Sequence, residues 1–137
     1  MDRVYVLNGP NAGESFALED TPVYIGRSTD NHVVLEDRFV SRKHLKIRRE
    51  GDRCFVQDLC SKNGTYVKGQ LTKPGEEIQI EMRQFITLGV NLICIDEQDS
   101  AFARAYIETT RALNTWEEGE HNKPFLMKTR PNAENRE

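Results

Sequence analysis

The sequence predicts an all-β sandwich followed by a single C-terminal helix. Up to about Asp96, short runs alternate apolar and polar residues, the pattern of strands with one buried and one wet face. Gly, Pro, Asn and Asp clusters separate these runs at the roughly 8–12-residue spacing of sandwich and barrel folds. Beyond Asp96 the apolar residues instead recur at three- and four-residue spacing, the period of a helix face.

Val4 and Val6 alternate with Arg3 and Tyr5, and Asn8-Gly9-Pro10-Asn11 ends that strand. Phe16 and Leu18, then Val23 and Ile25 before Gly26, predict the next two. Val33 to Leu35 is a short apolar run. Leu45 and Ile47 point one way, with Lys46 and Arg48 pointing the other. Glu50-Gly51-Asp52 predicts a hairpin turn into a strand bearing Cys54 and Val56. Tyr66-Val67, Ile78 and Ile80, Ile86 and Leu88, and Leu92 to Ile95 complete the series. Phe102, Ala105, Tyr106, Thr109, Leu113 and Trp116 line one face of the expected helix, with Asp99 or Ser100 as its N-cap and Gly119 as its stop. The expected organisation is a β domain over 1–98, a helix over 99–118 and a flexible tail over 119–137, polar apart from Phe125-Leu126-Met127.

A chain of 137 residues, 37% hydrophobic and 30% charged, has room for one cored domain. No apolar stretch reaches the length needed to span a bilayer. Met1 runs straight into a strand-like segment, which predicts no signal peptide. Cys54, Cys60 and Cys94 are odd in number and follow no metal-ligand spacing, so a reducing cytoplasm is expected; Cys54 and Cys94, inside apolar runs, are expected to be small buried side chains. The net charge is −3, yet Arg38, Arg42, Lys43, Lys46, Arg48 and Arg49 lie in one stretch without an acidic residue. A local basic surface on an acidic protein suits a small anionic ligand better than a nucleic acid.

Three segments fall in loops between predicted strands, where binding residues usually lie. They are Gly26-Arg27-Ser28, Ser41-Arg42-Lys43-His44, and Asp58-Leu59-Cys60-Ser61-Lys62-Asn63-Gly64-Thr65. A phosphorylated threonine carries roughly −1.5 to −2 charges and three strong acceptor oxygens. The Arg27 guanidinium offers forked donors to two of them. The Ser41 hydroxyl and backbone N–H, with the Arg42 cation, could satisfy the rest. Asn63 has both a donor and an acceptor for a peptide backbone, and Asn63-Gly64 signals a tight turn because both residues tolerate positive φ.

The order Gly-Arg, Ser-x-x-His, Asn-Gly-Thr in a β-rich chain resembles the forkhead-associated (FHA) family, over roughly residues 3 to 96. The resemblance implies an eleven-stranded, mostly antiparallel sandwich that binds phosphothreonine peptides through loops at one end. It implies that Arg27 and Ser41 hold the phosphate with Arg42 as an auxiliary contact. It further implies that Asn63 fixes the peptide backbone just after the phosphothreonine, and that Gly26, His44, Gly64 and Thr65 shape the site. The partner expected is a phosphothreonine-containing protein, a Ser/Thr kinase or its substrate. No cofactor, metal, nucleic acid or membrane is expected.

The residues also suggest two other function classes. Ser41, His44 and Asp58 suggest a hydrolase triad, but there is no G-x-S-x-G elbow, and Ser41 and His44 lie three residues apart at a strand start. The Lys46–Arg48 stripe suggests nucleic-acid binding, but it lacks interleaved aromatics, with Phe55 expected in the core. A phosphate-independent FHA scaffold, or the N-terminal regulatory domain of a larger protein, remains the alternative within the family.

Overall fold

The computed structural model describes residues 2–119, with side chains through Leu113. Its strands are β1 (Asp2–Val6), β2 (Ser15–Leu18), β3 (Val23–Gly26), β4 (Val33–Val34), β5 (Leu45–Glu50), β6 (Arg53–Asp58), β7 (Thr65–Val67), β8 (Gln70–Leu71), β9 (Glu77–Ile80), β10 (Ile86–Leu88) and β11 (Asn91–Glu97), followed by helix α1 (Ala101–Gly119). They form a six-stranded sheet of order β2-β1-β11-β10-β7-β8 and a five-stranded sheet of order β4-β3-β5-β6-β9. The sandwich expected from the alternation is therefore present. Among the strand pairs, β3 with β4 is the parallel one.

The core is filled by the inward residue of each alternation. Val4, Val6, Leu18, Val23, Ile25, Leu45, Ile47, Val56, Ile80, Ile86, Leu88, Ile93 and Ile95 form one buried cluster. Each fully buried aliphatic side chain contributes about 1.5–3 kcal/mol, so this layer supplies the bulk of the driving force for folding. The turn between β5 and β6 uses Gly51 at φ +64°, a left-handed conformation that costs a residue bearing a Cβ about 1–2 kcal/mol and glycine nothing.

Phe55 is not a core residue as expected. Cys54 and Val56 occupy the inward positions, so the period of two sends Phe55 to the outer face. There it lies opposite Arg48 in the β5–β6 register, with the Arg48 guanidinium 4.5 Å from its ring centre and that of Arg53 at 5.9 Å. Arg48 also bonds both oxygens of Glu77, at 2.6 and 2.8 Å, and one of Glu50 at 3.0 Å. The basic stripe is thus an aromatic-backed face whose central cation is already paired.

Residues through Ile107 form one compact unit, and the helix from Glu108 to Gly119 belongs to a second. Within the first, α1 begins at Ser100, whose Oγ accepts the Ala103 N–H at 2.9 Å while donating to buried Asp96 at 2.6 Å. The helix seam is displaced from the expected one. Ala103 and Ile107 are buried with Tyr5, Leu7 and Cys94, and Phe102 and Tyr106 pack beside them, while Ala105, Thr109 and Leu113 are exposed. Adjacent stripes on a helix share residues, and the run 102-103-106-107 satisfies the same spacing. The Trp116 side chain and the expected tail from 120 lie outside the described residues.

Candidate functional site

Strand β3 ends at Gly26, and the chain then runs alongside the segment that leads into β5. The Arg27 N–H donates to the Ser41 carbonyl at 3.0 Å and the Ser28 N–H to the Arg42 carbonyl at 3.2 Å. No side chain fits at Gly26: a Cβ there would lie 2.1 Å from the Arg42 carbonyl oxygen. Asn31, buried beneath this crossing, staples it by donating its amide to the carbonyls of Ser28 at 2.8 Å and Arg42 at 2.7 Å. Arg27 is exposed. Its Nε donates to the Val40 carbonyl at 3.0 Å, which ties the exposed guanidinium to the β4–β5 loop.

That loop is held from below. Asp37 is buried; its Oδ1 accepts the Phe39 N–H at 2.9 Å, and its Oδ2 accepts the Val90 N–H and the Asn91 amide, each at 2.8 Å. Val40 plugs the core at 1% exposure, so the next residue, Ser41, emerges at a fixed point.

His44 has no exposed surface and ties the second segment to the third. Its Nδ1 accepts the Ser41 N–H at 3.0 Å, so Nδ1 is unprotonated and Nε2–H donates to the Gly64 carbonyl at 2.9 Å. Burial holds the imidazole below its usual pKa, outweighing the opposing pull of the Gly64 bond and of the Asp58 and Asp37 charges. A neutral ring is what this bonding needs, since an imidazolium could not accept from Ser41. Both ring nitrogens are committed to backbone groups, so Ser41, His44 and Asp58 do not form the hydrolase arrangement.

The third segment is a closed turn built on Asp58. Its carboxylate accepts the Ser61 N–H at 2.9 Å, the Ser61 hydroxyl at 2.6 Å and the Thr65 hydroxyl at 2.6 Å. Burial opposes charge on Asp58, but the hydrogen bonds from Ser61 and Thr65 outweigh it and hold the carboxyl below the usual range. Ser61 Oγ in turn accepts the Gly64 N–H at 2.9 Å. Gly64 adopts φ +86°, and the second left-handed residue of the turn is Cys60 at +57°. Asn63, expected to tolerate such a conformation, does not use it.

The tip of this turn meets the β4–β5 loop. Asn63 Nδ2 donates to the Phe39 carbonyl at 2.9 Å, and the Lys62 N–H donates to Ser41 Oγ at 2.9 Å. Because Ser41 Oγ accepts that bond, its own hydrogen is available for an anion. Asn63 Oδ1 is likewise available to a peptide N–H. Arg27, Ser41 and Asn63 are therefore brought together around residues 39–41: Arg27 and Asn63 are held by the carbonyls of Val40 and Phe39, and the Ser41 hydroxyl by the Lys62 N–H. Arg42 contributes its carbonyl to the crossing and an exposed cation to the surface; Thr65 is buried under Asp58, and Gly26, His44 and Gly64 all brace the loops. Lys43 and Lys62 add exposed cations, Lys43 lying 3.7 Å from Asp30. Among the described residues no cluster of potential metal ligands occurs, and no helix is long and apolar enough to cross a membrane.

Sequence reasoning missed Asn31, Asp37 and Asn91. Asp37 followed by Phe39 is a local turn signal of the Asx type. The Asp37–Asn91 bond spans 54 residues and leaves no local trace.

Residues 5–99 match the sequence family Yop-YscD_cpl, described as "Inner membrane component of T3SS, cytoplasmic domain". The chain is 42% identical over 80 residues to the oxoglutarate dehydrogenase inhibitor of Corynebacterium jeikeium, covering 55% of this chain and 56% of that protein. It thus spans about half the length of the curated relatives it matches. Among solved structures it resembles the FhaA FHA domain complexed with the intracellular domain of Rv3910, at 30% identity and TM-score 0.62, over 70% of this chain and 100% of that one. It also resembles a domain from a study of phosphothreonine-dependent FHA domain interactions, at 29% identity and TM-score 0.62, over 72% of this chain and 98% of that one. The chain belongs to this family of FHA-like domains, and its two-sheet sandwich is a forkhead-associated domain.

Proposed function

We propose that this domain is a non-catalytic docking module that binds phosphothreonine-containing protein segments produced by Ser/Thr kinases. The observation that carries the reading is the convergence of the Arg27 guanidinium, the Ser41 hydroxyl and the Asn63 carboxamide on one short loop. Arg27 donates a charge-assisted fork to two phosphate oxygens, Ser41 donates to the third, and Arg42 adds a cation at the rim. Asn63 Oδ1 accepts a backbone N–H just beyond the phosphothreonine. The receptor is pre-formed at Arg27, Ser41 and Asn63, because each of these side chains is braced by a backbone bond before ligand arrives, which lowers the ordering cost of binding. A related solved domain was studied for phosphothreonine-dependent interactions, which supports the same ligand. Likeness to a protein named as a dehydrogenase inhibitor supports a regulatory output, in which docking alters a partner enzyme in the cytoplasm.

Screening a phosphothreonine peptide library tests this, with unphosphorylated and phosphoserine versions as controls. The expected result is binding that requires phosphate and favours phosphothreonine over phosphoserine at least about four-fold, the value of one buried methyl at about 0.8 kcal/mol. Equal binding of phosphorylated and unphosphorylated peptides would count decisively against it.

A further inference from the structure

The sandwich ends on one side in two strands that have no outer neighbour among the described residues: β8 closes the six-stranded sheet and β9 the five-stranded sheet. Between them runs an open groove of about 460 Å³, lined among others by Val67, Leu71, Thr72, Ile78, Gln79 and Gln84. That size lies within the roughly 300–1,000 Å³ range of sites that take several side chains. Val67 and Ile78 pack against the main core yet are only partly buried, so the groove floor is uncovered core. Thr72 Oγ1 is buried here without a hydrogen-bond partner.

The groove adjoins the site already described. Leu71, 61% exposed, forms its wall. The same side chain covers the start of β7: a Cβ built on Gly64 would lie 2.6 Å from Leu71 Cδ1. Gly64 directly follows Asn63, so a chain leaving Asn63 across this turn reaches Leu71 and then the groove. Free strand edges accept an extended segment through main-chain bonds, with alternate side chains facing inward. The charged residues at the groove are Lys68 and Glu81, of opposite sign, and Gln70, Thr72, Gln79 and Gln84 share the lining with Val67, Leu71 and Ile78, so the surface offers an apolar strip flanked by uncharged hydrogen-bonding groups and no net charge.

We propose that this groove takes the C-terminal flank of the bound phosphopeptide as an extended segment along β8 and β9, with apolar side chains over Val67 and Ile78. The inference rests on the phosphothreonine reading above and on Asn63 holding the backbone just after the phosphothreonine. The phosphate anchor makes the second contact intramolecular, so a modest apolar area is enough to matter.

The test uses the tightest phosphothreonine peptide from the library screen in two lengths. One ends two residues after the phosphothreonine; the other continues for eight more, with valine alternating with serine. Calorimetric titration should show the longer peptide binding at least ten-fold tighter. The Val67→Thr/Ile78→Thr double variant should lose most of that gain and keep the short peptide's affinity. Independently of that variant's folding, amide chemical shifts of Gln70 and Gln79 in the unmodified protein should move with the longer peptide only. Equal affinities for the two lengths, or shifts at β8 and β9 that do not distinguish them, would overturn the inference and leave phosphothreonine binding intact. Failure of both phosphopeptides to bind would instead overturn the phosphothreonine reading and this inference with it.

Discussion

The Ser41 backbone N–H donates to Nδ1 of His44 at 3.0 Å, so a wholly buried ring positions the residue whose hydroxyl is proposed to meet the phosphate. Replacing His44 by Phe keeps the volume but strands the Ser41 N–H and the Gly64 carbonyl. Each buried polar group left unpaired costs about 1–3 kcal/mol. The expected loss is about 2–4 kcal/mol of stability in chemical denaturation, together with weaker phosphopeptide binding.

The same ring predicts a pH dependence. In the unfolded chain a histidine binds its proton near pH 6.5, whereas burial holds the folded His44 below its usual value. Between those two values the unfolded chain carries more protons, so stability falls as pH drops. The contribution is complete above about pH 6.5 and is lost as pH falls toward the folded value. Asp58 and Asp96, held low despite burial by their hydrogen bonds, act in the same direction in the carboxylate range. Urea midpoints of the free protein between pH 7.5 and 4.5 should therefore decline, and His44→Gln should flatten the upper part of that decline.

Gly26→Ala tests the loop crossing. The added Cβ would sit 2.1 Å from the Arg42 carbonyl oxygen, a backbone atom that cannot swing aside. Overpacking of this kind costs about 1–3 kcal/mol. The strain falls between the two segments that carry Arg27 and Ser41. Melting temperature and phosphopeptide affinity should both drop.

Ser100→Ala separates the helix from the site. Losing the bond to the Ala103 N–H removes an N-cap worth about 0.5–2 kcal/mol. Denaturation should report that loss while phosphopeptide affinity stays unchanged, since nothing in the Arg27–Ser41–Asn63 assembly touches Ser100.

Strands with clean alternation, such as Leu45 and Ile47 or Ile86 and Leu88, were legible because one face is buried and the period is two. The two-residue β8 was not, because Gln70 and Leu71 are both exposed and leave no pattern. Phe55 was misplaced because an aromatic in a strand reads as core, whereas cross-strand Arg48 gives it a use on the outer face. The helix was legible in period and cap but not in phase, since Ala103 and Ala105 are equivalent by composition. The residues proposed to face the ligand, Arg27, Ser41 and Asn63, stood out in their short motifs. Their supports did not, because the Asn31 bond to the Arg42 carbonyl and the Asp37 bonds to the Val90 N–H and the Asn91 side chain join groups distant in sequence.

The most direct test is titration of the library-selected phosphothreonine peptide into the unmodified protein, Arg27→Ala and Ser41→Ala. Removing one partner of a desolvated charge pair costs about 2–5 kcal/mol, so Arg27→Ala should abolish a micromolar interaction and leave the melting temperature nearly unchanged. Ser41→Ala should weaken binding by a smaller factor. An Arg27→Ala protein that binds the phosphopeptide as tightly as the unmodified domain would contradict the account.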